Sequence, residues 1–150
     1  QMRLQRMFMC LSLLHFRRKQ NDGAWQIDMA GAGMPPLMLF RAQSQRVEYI
    51  RSQGIVLGTM ESAEYPLITF DVQAGDTLLL MSDGILELFN ASGDELGTQR
   101  LEDCFVRLCK QQQPITSAAM LNELHTLTDN WIDGEPLHDD IALIVVKVNA

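Results

Sequence analysis

A chain of 150 residues with 47% hydrophobic and 21% charged residues has the composition of one globular domain and enough apolar mass to bury a core. Its formal net charge of −7 argues against sequence-independent nucleic-acid binding, which needs a basic surface. Cys10, Cys104 and Cys109 are odd in number and lack CxxC spacing, which points to reduced core thiols rather than a disulfide framework or a zinc site.

Met7 to Phe16 reads as a buried strand; its apolar part, Met7 to Leu14, is too short for a membrane span and lacks a signal peptide's cleavage site. Arg3, Arg6, Arg17, Arg18 and Lys19 crowd around it; a solvated strand end or a cut helix accounts for them better than an anchor at an anionic membrane. Asn21-Asp22-Gly23 is a hairpin signal, and the alternation of Trp25 to Ala30 suits an antiparallel partner strand. Gly31 to Pro36 breaks the ladder, Leu37 to Phe40 and Val47 to Ile50 are short strands, and Gly54 to Gly58 is a glycine-bracketed loop. Leu67 to Val72 is a strand, Gln73 to Asp76 a turn in which Asp76 acts as a cap, and Thr77 to Met81 a central strand buried on both faces.

Ile85 to Asn90 reads as a short helical turn stopped by Ser92-Gly93. Thr98 is the expected N-cap of a helix to about Lys110 with Leu101, Cys104, Phe105 and Leu108 on its apolar face, and Pro114 ends that pattern. Thr116 or Ser117 caps a second helix with the stripe Leu121, Leu124, Leu127 and Trp131, closed by Asp133-Gly134. Ile141 to Val148 is a β-branched last strand that returns to the sheet. Strands, two helices and a returning strand make an α+β fold, helices over a mostly antiparallel sheet.

Two acidic signatures carry the chemistry. Gly75-Asp76 leads through an apolar strand to Ser82-Asp83-Gly84, and His138-Asp139-Asp140 opens the last strand. The returning strand can bring Asp139 close to Asp83 at one sheet edge, where oxygen-only ligands suit Mg²⁺ or Mn²⁺ rather than zinc. Taken alone, an Asp-Gly after a strand is also an ordinary turn. Adjacent aspartates at a strand start are harder to explain without a counter-charge. Residues 1 to 21 contain no Asp or Glu, so acidic ligands preceding these two are not expected within the chain. His15, His125 and His138 form no ligand cluster by spacing. Ser82 lacks a G-x-S-x-G elbow and a partnered histidine, which argues against acyl transfer.

With these residues in order, the chain resembles the SpoIIE-like branch of the metal-dependent protein phosphatases (the PPM superfamily), which includes RsbU-type regulators. Ala30 to Pro36 is similar to the family's "AGxPP" turn, Val56-Leu57-Gly58 to its "PLG" element, Gly75-Asp76 through Ser82-Asp83-Gly84 to "GD…L.SDG", and Asp139-Asp140-Ile141 to the terminal "DDIT". Met34 stands where many relatives have His, and Ala142 where they have Thr. The resemblance implies a PPM-type antiparallel β-sandwich flanked by helices and incomplete at its N-terminus, residues 1–150 being the C-terminal part of one phosphatase domain. It implies metal-dependent hydrolysis of phosphoserine or phosphothreonine, with Asp83 and Asp139 as metal ligands, Gly84 and Asp140 in support, and Mn²⁺ or Mg²⁺ as a dinuclear cofactor.

The family's upstream motifs, an Asp near a first strand and a "DxxGHG" turn, are not in this sequence, so the chain is expected to be inactive alone. The implied partner is a phosphoprotein of the anti-sigma-factor antagonist type in a bacterial signalling system, with a sensor or receiver domain upstream in the parent chain. No nucleic acid and no direct membrane contact are expected. Homodimerisation is expected from uncovered sheet edges, and a cytoplasmic location from the reduced thiols, any membrane anchor belonging to a longer parent. The alternative is a non-catalytic, degenerate phosphatase fold that serves as a binding or dimerisation module.

Overall fold

A computed structural model describes residues 8–20, 24–113 and 115–149. Its backbone divides into two compact units, residues 1–34 with 51–72 and residues 35–50 with 73–150. Each is built on its own antiparallel sheet. Arg3, Arg6, the Asn21-Asp22-Gly23 turn and Pro114 lie outside the described residues.

The first unit holds β1 (Leu11–Arg18), β2 (Trp25–Ala32) and β5 (Ile68–Val72), in the order β1-β2-β5. Strands β1 and β2 pair from Leu11↔Ala32 to Arg18↔Trp25, and the Lys19 amide donates to the Ala24 carbonyl at 2.8 Å. The expected hairpin is therefore present on either side of its turn. The expectation of a buried first strand is corrected: Leu11, Leu13 and Phe16 are 46%, 64% and 37% exposed. The reason is position. As the edge strand, β1 has one neighbour, while the central β2 buries Ile27 and Met29.

The described residues of the basic cluster, Arg17, Arg18 and Lys19, are engaged. Arg17 pairs with Asp28, Lys19 with Asp71, and the Arg18 guanidinium lies 4.9 Å from the Trp25 ring centre. The Thr69 hydroxyl and Arg17 hold the Asp28 carboxyl below its ordinary pKa. The turn after β2 needs glycine at Gly33, whose φ is +68° and whose amide donates to the Gly54 carbonyl at 3.0 Å.

The second unit holds β3 (Leu37–Arg41), β4 (Arg46–Ile50), β6 (Thr77–Met81), β7 (Leu143–Lys147), α1 (Gly97–Cys109) and α2 (Ser117–Ile132), with strand order β4-β3-β6-β7. Strand β6 is central and its residues are buried or nearly so, as its unbroken apolar run predicts. Met38, Phe40, Leu79, Met81 and Val145 from the sheet meet Leu101, Phe105, Leu108, Met120 and Leu124 from the helices in one core.

Helix α1 starts one residue before Thr98, and the N-cap position is held by Leu96 without a side-chain bond. Burial decides this start: Leu96 is fully buried, and its amide donates to the Leu88 carbonyl at 2.8 Å. In α2 the deepest line is Met120, Leu124 and Thr128; of the expected stripe Leu124 is fully buried, while Leu121, Leu127 and Trp131 are only partly buried. The buried Thr128 hydroxyl is satisfied by the His125 carbonyl at 2.7 Å.

Thr116 caps α2, its hydroxyl accepting from the Ala119 amide at 3.1 Å, and Asp133 closes it in the left-handed region. Thr116→Ala is expected to cost about 1 kcal/mol in urea unfolding, with Thr116→Asp close to unchanged. Burial pushes the Cys109 thiol up to about 11, so it is not a thiolate at neutral pH, in keeping with a core role.

Candidate metal centre

The centre is built where β6 and β7 end together. Their ladder runs from Thr77↔Lys147 to Met81↔Leu143. Beyond Met81 the chain turns into a 3₁₀ helix at Asp83–Ile85, in which the Leu86 amide donates to the Asp83 carbonyl at 2.8 Å. That turn comes two residues before the expected helical segment. The next bend is set by the Asn90 side chain, which accepts from the Ser92 and Asp94 amides at 3.0 and 2.9 Å.

Asp83 and the Asp139–Asp140 pair are exposed, and the β6–β7 register places their turns side by side. Gly84 is buried against the second turn. A Cβ at Gly84 would overlap the Asp140 carbonyl oxygen and stand 3.1 Å from its carbonyl carbon and 3.5 Å from the Asp139 Cβ. The absent side chain is thus what lets the two acidic turns approach. One Asp139 oxygen accepts from the Asp140 amide at 2.7 Å, which orients that carboxylate.

Ser82, dismissed as a nucleophile, links the two turns. Its amide donates to the Ala142 carbonyl at 2.9 Å, its hydroxyl donates to the Asp140 carbonyl at 3.1 Å, and the Ala142 amide donates to that hydroxyl at 3.0 Å. The flanking loops are also tied down. Trp131 donates its indole N–H to the Leu88 carbonyl at 3.0 Å, and the rings of Phe89 and His138 meet edge to face at 6.3 Å.

Exposed carboxylates are hard oxygen donors, and Mg²⁺ binds through one or two carboxylates while keeping several waters. The three aspartates therefore suit such a cation in kind. In number they do not make a site by themselves: among the described residues, no three His, Cys, Asp or Glu side chains converge as a metal-holding group.

A family model described as stage II sporulation protein E (SpoIIE) matches residues 1–149. The chain belongs to the SpoIIE family. A search of curated proteins found no match. Among solved structures, the chain is similar to the SiaA-PP2C domain of Pseudomonas aeruginosa, at 20% identity and TM-score 0.68, covering 84% of this chain and 50% of that one. It is similar to the SpoIIE phosphatase domain of Bacillus subtilis, at 17% identity and TM-score 0.60, covering 92% and 56%. It is also similar to the RsbU and RsbW domains of a Mycobacterium tuberculosis protein, at 20% identity and TM-score 0.60, covering 83% and 33%.

These likenesses establish the fold of the SpoIIE member: an α+β arrangement with two antiparallel sheets and two helices, shared with PP2C-type phosphatase domains. The chain spans about half the length of the first two solved domains it matches. Among the described residues, no helix is long and apolar enough to cross a membrane.

Proposed function

We propose that this chain contributes Asp83 and Asp139 as ligands, and Gly84 and Asp140 as supporting residues, to the Mn²⁺- or Mg²⁺-dependent site of a protein serine/threonine phosphatase. The observation that carries the proposal is the β6–β7 pairing, which ends beside both acidic turns, with Gly84, next to Asp83, lying close against the Asp139–Asp140 turn. When bound, divalent cations supply a water of lowered pKa and neutralise charge on the phosphoryl oxygens. The chain's own residues do the holding: Asp83 and Asp139 offer oxygens, the Asp140 amide orients Asp139, and Gly84 keeps the turns together.

The substrate of this reading is phosphoserine or phosphothreonine on a bacterial signalling protein of the anti-sigma-factor antagonist type, with a sensor or receiver domain controlling the parent chain. The remaining ligands belong to the family's upstream motifs, so residues 1–150 alone are inactive in this reading. A second reading, a non-catalytic binding or dimerisation module, is favoured by the partial ligand set and by the exposed Leu11 and Leu13 on β1.

Calorimetry with Mn²⁺ on the full-length protein, beside hydrolysis of a generic phosphate ester, separates the two. Asp83→Ala and Asp139→Ala are each expected to weaken Mn²⁺ binding by more than the roughly 10–100-fold that loss of a supporting partner costs, and to abolish turnover. A full-length protein that binds no Mn²⁺ and hydrolyses no ester would establish the binding module instead.

A further inference from the structure

We infer that Ser82 is a positioning residue: its hydroxyl sets the spacing between the two acidic turns and thereby the affinity of the site for a divalent cation. The inference rests on the ligand assignment proposed above. It starts from an unused cap. Ser82 occupies the N-cap position of the Asp83–Ile85 turn, where a serine hydroxyl ordinarily accepts from an amide of the same turn, yet it makes no such bond. The hydroxyl reaches across the chain instead. It donates to the Asp140 carbonyl at 3.1 Å and accepts from the Ala142 amide at 3.0 Å, one group on either side of Ile141.

Two residues therefore meet at one carbonyl. Ser82 donates its hydroxyl to the Asp140 oxygen, and Gly84 leaves that carbonyl the room that a Cβ would fill. Asp83 lies between them in sequence, so its backbone is registered on Asp140 from both sides. This bridge works where the regular ladder has stopped, at Met81↔Leu143. A cation gains most from carboxylates already held at its spacing. Only a side chain that both donates and accepts at the Cβ-linked atom can make the bridge. Threonine keeps it, cysteine makes it weakly and alanine loses it.

The test uses the full-length protein with Mn²⁺ alone as the probe. Ser82→Ala is expected to weaken Mn²⁺ about tenfold or more, while Ser82→Thr stays close to the unaltered protein and Ser82→Cys falls between. In the metal-free protein, hydrogen exchange of the Ala142 amide is expected to quicken in the alanine variant and not in the threonine variant. Should Ser82→Ala fail to fold, the cysteine and threonine variants carry the comparison. Unchanged Mn²⁺ affinity in Ser82→Ala, or in Ser82→Cys where that variant stands in, overturns the inference. So does an equal loss in Ser82→Thr. If Asp83→Ala still weakens binding in those cases, the ligand assignment survives. Unchanged affinity in Asp83→Ala overturns both.

Discussion

Asp76→Ala is expected to lower the unfolding free energy by about 3–5 kcal/mol, from two backbone donors left unpaired and a part-buried ion pair broken from one side. The Asp76 side chain is 4% exposed and pairs with Arg41 at 3.1 Å. It also accepts from the Ala42 amide at 2.9 Å and the Gln73 amide at 3.1 Å. Alanine strands two backbone donors and leaves Arg41 with its other carboxylate partner, Glu48. Burial alone would lower the pKa of Arg41, but the hydrogen bonds it donates to Glu48 and Asp76 outweigh it and hold the pKa above the ordinary value. The guanidinium stays charged and is shared between Asp76 and Glu48.

Asp76→Asn keeps the shape but turns an NH₂ toward a donor, so it is expected to cost about 1–3 kcal/mol. Urea unfolding of the two variants checks the order. Glu48→Ala serves as the control: its side chain is half exposed, and an exposed pair contributes at most about 1 kcal/mol. Equal midpoints for all three would sink the claim that Asp76 locks this end of β6.

The same residue shows where sequence reading stops. Asp76 after Gly75 reads as a local cap, and part of that holds, since it accepts from the Gln73 amide three residues back. The ion pair with Arg41 spans 35 positions and depends on β3 lying beside β6, which no local window contains. Strand β6 was legible because an unbroken apolar run is what a strand buried on both faces requires. The run at the start of the chain looks the same but forms an edge strand, because composition does not say how many neighbours a strand has.

The Thr116 cap and the Asp133 closure of α2 were legible from local side-chain chemistry. The start of α1 was not, because burial of Leu96 overrode the nearby threonine. At the candidate centre, the aspartates could be picked out by their place at strand ends. The work of Ser82 could not, since its partners are 58 and 60 residues away.

Gly84→Ala is expected to act on stability and metal affinity together. The added methyl has nowhere to go. It would overlap the Asp140 carbonyl oxygen and crowd the carbonyl carbon at 3.1 Å, and both are backbone atoms that no rotamer change can move. Gly84 has no left-handed φ, so the penalty is overpacking rather than strain of the glycine itself, about 1–3 kcal/mol. Relief requires the Asp139–Asp140 turn to retreat, which pulls against both Ser82 hydroxyl bonds.

A displacement of that kind moves Asp139 away from Asp83, and Mn²⁺ affinity is expected to fall by about 10–100-fold, as when a supporting contact is lost. Urea unfolding without metal gives the first term, and Mn²⁺ calorimetry on the folded variant gives the second. A loss of stability with unaltered Mn²⁺ affinity would show that Gly84 matters for packing alone and does not set the separation of Asp83 and Asp139.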